Sequence, residues 1–358
     1  MMALINSKSG KTLKTALIGL LLLLLVMGAL AVWLWQQQQR FVTAPLAHIQ
    51  SSSMVISRGD SFGVVLAKLR NAGIHQGHDL QWQWLARQMG TASRLKTGEY
   101  ALEPTLTPMQ LLHNMAQGQT IHYRITLVEG WNFSQLRAAL SRAQPLEQTI
   151  DQMSDRQIMA ALNQAEQHPE GRFLPETYVY QRGDSDLDIL RRAHEAMQNA
   201  LDEAWQDHAE GLPLASKDEL LILASIIEKE TGLASERAQI AGVFTRRLQR
   251  GMRLQTDPTV IYGMGSLYSG RIRRIHLTTD TPYNTYTRAG LPPTPIAMPG
   301  RAALRAAAHP APGNALYFVA VGDGSGAHVF SATLDEHNAA VRRYLQRQRA
   351  NRALNSNR

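Results

Sequence analysis

Twenty consecutive uncharged residues, Ala16 to Trp35, dominate the start of this 358-residue chain and include six leucines in a row, Leu20 to Leu25. As a helix rising about 1.5 Å per residue, such a run spans the roughly 30 Å hydrocarbon core of a bilayer. Lys8, Lys11 and Lys14 stand before it, while Gln36 to Gln39 and Arg40 follow. Positive charge marks the flank that stays in the cytoplasm. The expectation is a cytoplasmic N-terminus over residues 1–15, a single transmembrane helix over 16–35, and everything after Arg40 outside. Trp33 and Trp35 sit where interfacial aromatics belong. A cleaved signal peptide is the rival reading, and Ala29-Leu30-Ala31 resembles a cleavage site. A signal core is about 7–15 apolar residues, whereas this run continues through Val32-Trp-Leu-Trp35, which favours an uncleaved anchor.

Net charge is +8, but the two ends carry it. Residues 1–40 hold four Lys/Arg and no acids, and the tail 341–358 holds six Arg and no acids, which leaves −2 for residues 41–340. A body that is not a polycation lacks the electrostatic footprint of nucleic-acid binding, so no such partner is expected. The basic C-terminal tail reads as a solvated helix end or a terminus able to meet an anionic surface. The absence of cysteine excludes disulfides and thiolate metal sites.

Between anchor and body, residues 36–53 read as a polar linker (QQQQR, then SSS). A small unit over 54–120 follows. It has a strand-like Met54-Val-Ile-Ser57, and a helix opened by Gly59-Asp-Ser-Phe62 with Phe62, Leu66 and Leu69 at i, i+4, i+7 spacing. A second amphipathic stretch runs from Asp79 to Met89, and Thr97 to Leu102 returns as a strand. Thr107-Pro108-Met-Gln110 carries a helix-start signature, with Thr as N-cap, Pro in the first turn and Gln three residues after the cap.

The chain from 121 to 340 reads as one larger α+β domain. Ile121–Val128 is a strand, helical patterns fill 134–167 and 186–209, and helices are expected over Asp218–Thr231 and Glu236–Arg250. Gly- and Pro-rich segments occupy 256–300, and a hairpin, Ala315–Val321 with Ala327–Ala332, turns at Gly322-Asp-Gly-Ser-Gly326. No helix and no Lys-Ser/Thr follows that cluster, so it is a hairpin turn and not a phosphate loop. Gly59-Asp-Ser-Phe62 and Gly130-Trp-Asn-Phe133 each lead from a β-branched strand into a helix, by a recurring turn or by duplication.

The most unusual segment is Leu220-Leu-Ile-Leu-Ala-Ser-Ile-Ile-Glu-Lys-Glu-Thr-Gly232. Its apolar side chains populate nearly the whole helical circumference, which marks a buried helix. Its charges, Glu228-Lys229-Glu230, are either a solvated end or a site. Carboxylates near a helix C-terminus oppose the macrodipole and are not there for local stability. Glu228 and Glu230 lie about 200° apart, so they cannot share a face. Glu230 stacks over Ile226 and Leu223, and a carboxyl beside bulky aliphatics is desolvated toward the pKa a general acid needs. Ordinary glycoside hydrolysis requires two carboxylates about 5–9.5 Å apart, which this pair cannot provide. A single acid suffices where the substrate supplies its own nucleophile, as the muramic acid 6-hydroxyl does in forming a 1,6-anhydro sugar.

The run Ala224-Ser-Ile-Ile-Glu-Lys-Glu-Thr231 resembles the signature of the MltG (YceG-like) family of endolytic murein transglycosylases. The resemblance continues through Ala234-Ser-Glu-Arg237, Gly251-Met-Arg-Leu-Gln-Thr-Asp-Pro-Thr-Val-Ile-Tyr-Gly263, Tyr283-Asn-Thr-Tyr286, Gly290-Leu-Pro-Pro293, Ala306-Ala-Ala-His-Pro310 and Tyr317-Phe-Val-Ala320. It implies an α+β architecture with a single N-terminal transmembrane helix, a small LysM-like β/α domain and a larger catalytic domain. It implies that Glu230 is catalytic. The implied reaction cuts the MurNAc–GlcNAc bond within nascent glycan strands, gives 1,6-anhydroMurNAc ends and terminates elongation. The implied setting is a bacterial inner membrane, single-pass, with a periplasmic catalytic domain, and the implied partners are peptidoglycan glycan strands and peptidoglycan synthases (penicillin-binding proteins). No departure falls within the catalytic blocks; differences such as Arg271-Ile-Arg-Arg274 and the Arg-rich tail lie outside them.

Gln255, Thr256, Asp257, Asn284 and Tyr286 are candidates for the sugar-binding cleft, because polar side chains in Gly/Pro-rich loops can hydrogen-bond hydroxyl and acetamido groups. An alternative stands beside this: Asp257-Pro258 caps the next helix and Asn284-Thr285 forms a turn. Tyr286 and Trp131 are either sugar-stacking or core aromatics. Glu228 and Ser225 are read as supports behind Glu230, and Glu129-Gly130 as a strand-end turn or a neighbour of the cleft. His309, His328 and His337 lack metal-ligand spacing, so no metal is expected. No Gly-x-Ser-x-Gly elbow is present, and no cofactor is called for. A membrane-anchored, non-catalytic glycan-binding or scaffold protein is the alternative of a different class.

Overall fold

The computed structural model describes residues 6–356, with side chains described over 14–350. Most of the expected cytoplasmic segment 1–15, including the side chains of Lys8 and Lys11, therefore lies outside the described side chains, as does the end of the basic tail. The chain divides into two compact units, Met1–His122 and Tyr123–Arg358.

The first unit opens with one uninterrupted helix, α1 (Asn6–Thr43). Its stretch Lys14–Thr43 is long and apolar enough to cross a membrane by length and composition, with a mean hydropathy of 2.8 over its most apolar 18 residues. The six leucines from Leu20 to Leu25 are each more than half exposed, so no protein covers them. The expected linker 36–53 is not a linker at its start. Glutamine is a good helix former, and Phe41 and Val42 supply a face to bury, so the helix runs on to Thr43. Phe41 meets Trp82 edge to face at 5.2 Å. The same ring leaves room only for glycine at position 77, where a Cβ would lie 2.3 Å from it.

Then follow β1 (Ser53–Ile56), α2 (Phe62–Asn71), α3 (Asp79–Gln88), β2 (Gly98–Ala101) and α4 (Pro108–Gln117). β1 and β2 pair antiparallel with Met54 opposite Tyr100. Ser61 caps α2, and Thr107 with Gln110 forms the reciprocal capping box of α4. Leu69, Trp82, Tyr100, Leu111 and Met115 make the centre of this unit's core.

The second unit begins with β3 (Tyr123–Thr126), α5 (Phe133–Leu140), α6 (Asp155–Ala161) and β4 (Thr177–Tyr180). The continuous helical pattern expected over 134–167 is thus two short helices. Pro145 has no N–H to offer a helix, and the buried Asp186 carboxylate gathers the N–H groups of Thr149 and Ile150 instead. β4, for which no strand was expected, pairs antiparallel with β3. Next come α7 (Asp186–Gln206), α8 (Lys217–Glu230), α9 (Arg237–Gln249), α10 (Asp257–Met264), α11 (Arg274–Thr278), α12 (Arg301–Ala308), the hairpin β5 (Tyr317–Ala320) and β6 (His328–Ser331), and α13 (Leu334–Ser356). The tail from 341 is a continuation of α13 and not a separate segment.

α8 is the axis of this unit. Every residue from Leu220 to Ile227 is buried, and α7, α9, α10 and α12 pack around it. Each buried Leu or Ile contributes roughly 1.5–3 kcal/mol of gross hydrophobic stabilisation, which fixes the position of the helix and of whatever its last turn carries. A second core joins α5, α6, β3 and β4 through Phe133, Leu136, Ile158 and Phe173.

Candidate active site

The last turn of α8 sends three charged side chains in three directions. Glu228 turns toward α12, where it accepts the Gly300 N–H at 2.9 Å, with Arg237 3.7 Å away. Lys229 donates to the Gly130 carbonyl at 3.1 Å. Glu230 accepts a hydrogen bond from the Thr256 hydroxyl. The helix dipole favours neither carboxylate here; Glu228 is compensated by the N-terminus of α12 and by Arg237, whereas Glu230 accepts from the neutral Thr256 hydroxyl.

Glu230 opens onto a cavity of about 470 Å³ walled by Gln255, Asp257, Tyr286, Tyr317 and His328. Two loops and the hairpin hold these walls. Gln255 sits at φ 50°, a left-handed conformation costly for a residue with a Cβ. Its N–H bonds to the Thr285 carbonyl at 3.2 Å, and the Thr256 N–H to the Thr285 hydroxyl at 3.1 Å, so the two loops are zipped together. The Tyr286 hydroxyl donates to Asp257 at 2.6 Å. Arg247, buried in α9, donates to the carbonyls of Leu254 at 2.8 Å and Leu316 at 2.7 Å, and stacks over Tyr317 with 5.1 Å to the ring centre. His328 is held by Glu236, whose carboxylate takes both its ring nitrogen at 2.7 Å and its N–H at 2.9 Å.

Burial pushes the Glu230 carboxyl up to about 7, and the negative charge of Asp257 adds to this; the Thr256 hydroxyl and His328 oppose it. Burial also raises Glu228, with the Gly300 amide and Arg237 pulling it back. Desolvation of a charged form is the common cause.

The structure brings together Glu230, Thr256, Asp257, Gln255 and Tyr286. It does not bring Asn284 to the cavity. That side chain is 1% exposed; its amide donates to the carbonyls of His276, Leu277 and Thr279, and its oxygen takes the Tyr286 N–H at 2.9 Å. With every polar atom spent on backbone, Asn284 clasps a turn and has nothing left for a sugar. Ser225 is fully buried as well, donating to Ile222 and accepting the Ile296 N–H at 3.0 Å, which ties α8 to the 296 segment. Asp257 is also the first residue of α10, so its cavity position and its helix-start position coincide.

Arg247, Tyr317 and the Glu236–His328 pair were not legible as cavity residues, because they arrive from α9 and the hairpin. Nor was Glu170. Burial pushes its carboxyl up to about 7, and it accepts the Phe133 N–H at 3.1 Å and the Tyr262 hydroxyl at 3.0 Å beside a groove of about 930 Å³. A lone Glu in a Pro-Glu-Gly turn carries no local signal of this. Among the described residues no group of three or more His, Cys, Asp or Glu side chains is arranged to hold a metal ion.

A carboxyl raised by burial, at the end of a core helix buried from Leu220 to Ile227 and facing a cavity of mixed polar and apolar lining, defines an acid-bearing α+β domain. The second unit is of that class, in a chain that opens with one long apolar helix. Residues 54–343 match the YceG-like family. The chain is 31% identical over 307 residues to the endolytic murein transglycosylase of Bacillus subtilis (strain 168), covering 81% of this chain and 84% of that one. It is 26% identical to the endolytic murein transglycosylase of Streptococcus pneumoniae serotype 2 (strain D39 / NCTC 7466), over 74% of this chain but about half, 53%, of that longer relative. A crystal structure of a YceG-like protein from Listeria monocytogenes matches with a TM-score of 0.53 at 28% identity, covering 80% of this chain and 98% of that one. The chain belongs to the YceG-like family.

Proposed function

We propose that this chain is an endolytic lytic transglycosylase of peptidoglycan, with Glu230 as its catalytic acid and base. The observation that carries the reading is the Glu230 carboxyl, buried to a value of about 7 and facing the cavity. Kinship with proteins named endolytic murein transglycosylases supports the substrate. Protonated Glu230 gives its proton to the glycosidic oxygen between MurNAc and GlcNAc as the C1–O bond breaks. The positive charge that develops at C1 is stabilised by Asp257. The 6-hydroxyl oxygen of the same MurNAc then bonds to C1, and its proton passes to the Glu230 carboxylate. The product end is 1,6-anhydroMurNAc, no water is consumed, and Glu230 is restored. Tyr286 orients Asp257, and Gln255 offers its amide to the sugar.

One observation favours a second reading. Asp257 places another carboxylate in the same cavity, and a second carboxylate is one part of what ordinary hydrolysis needs. The products separate the two. The full chain in lipid nanodiscs, given long glycan strands, is expected to yield anhydro ends by mass spectrometry, and Glu230→Gln to lose them by about 10²–10⁴-fold. Reducing ends would instead make the chain a hydrolase using Asp257. Binding without cleavage would make it a glycan-binding scaffold.

The setting that fits this activity is a single-pass anchor in the bacterial inner membrane, N-terminus in the cytoplasm and the second unit in the periplasm. The Lys8, Lys11 and Lys14 cluster before the apolar run supports that orientation. The β-α-α-β order of the small unit supports a LysM-like, glycan-holding role. Action on nascent strands, ending their growth, places the chain beside peptidoglycan synthases of the penicillin-binding class.

A further inference from the structure

The first unit has an apolar groove of about 970 Å³ where the outer end of α1 passes α3. Trp33, Leu34 and Trp35 form one wall, and Leu80 and Trp84 form the other. Gln37, Gln38, Gln81, His75 and His78 complete the polar part of its lining, and none of the lining residues is Asp, Glu, Lys or Arg. Leu80 and Trp84 are spaced i, i+4 and share a face of α3; they are 77% and 46% exposed, while Trp82 and Leu85 carry the buried face. Leu80 and Trp84 continue the surface of Trp33, Leu34 and Trp35 into one contiguous apolar patch, the kind of surface that marks a protein or membrane contact.

The position of the groove along α1 says what covers it. The apolar run ends at Trp35, before Gln36, and the groove wall begins at Ala31, four residues or about 6 Å inside that end. If α1 spans a bilayer, part of the groove lies within the hydrocarbon boundary. An aqueous groove at that depth would leave apolar walls wet beside lipid. The α1–α3 geometry is fixed, because Phe41 packs on Trp82 and the Gln38 amide reaches the Gln81 carbonyl at 3.3 Å. Leu80 and Trp84 therefore cannot lift away from the level of Trp33 and Trp35.

We propose that the groove and the Leu80–Trp84 face of α3 are a phospholipid contact, so that the small unit rests partly sunk in the outer leaflet at the boundary of headgroups and acyl chains. This is the depth, roughly 5–10 Å, at which interfacial helices lie. The proposal rests on the anchor reading of α1.

The chain has no cysteine, so single spin labels test it directly. Full-length Leu80→Cys and Trp84→Cys are labelled and reconstituted in phosphatidylcholine–phosphatidylglycerol vesicles. Leu24→Cys reports on the anchor, and the exposed Ser93→Cys reports on water. Collision with oxygen, which concentrates in lipid, is compared with collision with a water-soluble nickel complex. Labels at 80 and 84 are expected to favour oxygen and lose nickel access, as at 24, whatever the ratio of protein to lipid. Nickel access at 80 and 84 with lipid-like behaviour at 24 overturns the proposal and leaves the anchor standing. Nickel access at 24 overturns the anchor and the proposal together. Protection at 80 and 84 that vanishes on dilution into excess lipid means that a second copy covers the face, which also overturns it.

Discussion

Glu228 and Glu230 are two positions apart, yet one serves packing and the other faces a cavity, because the helical turn aims them at different neighbours. Glu228 has a backbone amide and an arginine; Glu230 has a threonine hydroxyl and the field of Asp257. The acid form of Glu230 starts the proposed reaction, so activity is expected to fall as pH rises through about 7. The Thr256 hydroxyl stabilises the charged form. Removing it with Thr256→Val withdraws that stabilisation, and the alkaline limb of kcat/KM is expected to move to higher pH. The native state also holds a proton that an ordinary carboxyl, at 4.5, would release. Stability is therefore drained as pH rises from about 4.5 to about 7 and stays reduced above. Glu230→Gln removes this burden, so its stability relative to the wild type should be greater at pH 8 than at pH 5 by on the order of 1–3 kcal/mol, read as a larger gain in Tm at pH 8. An equal Tm difference at both pH values would mean that the carboxyl is not held neutral by burial.

At the level of elements, the sequence announces what is written in local chemistry. The capping box at Thr107 and Gln110 and the all-apolar face of α8 are such features, and both stand where the residues put them. What escaped depends on distant partners. β4 is a strand because β3 lies beside it, and the helical pattern at 134–167 breaks because Asp186, far along the chain, takes the N–H groups of 149 and 150. The end of α1 looked like a linker because Phe41 shows nothing in sequence of its partner Trp82. Asn284 is the same lesson within the site: its polarity suggested sugar, but three carbonyls at the end of α11 and just beyond it consume its amide. Asn284→Ala should accordingly lower stability by about 2 kcal/mol or more, through unsatisfied buried acceptors, and change kcat/KM only as folding is lost. A raised KM with unchanged Tm would return Asn284 to the cleft.

For the whole molecule, every residue that lines the Glu230 cavity falls in the second unit, which has its own hydrophobic cores. A fragment of residues 123–358 is therefore expected to fold and to form anhydro ends on isolated strands, though less efficiently on nascent ones if the small unit holds glycan. Loss of all activity in a fragment with cooperative unfolding would mean that the first unit contributes to the chemistry itself. The passage of α1 into the core of the small unit has a mechanical meaning. A unit on a slack tether roams a range of heights above a bilayer, and its local concentration is diluted over that volume. A stalk that is also a core helix allows no such roaming. With α1 in the bilayer, the small unit keeps one elevation and one heading relative to the stalk, and any strand it grips is presented at a set altitude, as by a gauge fixed to the membrane.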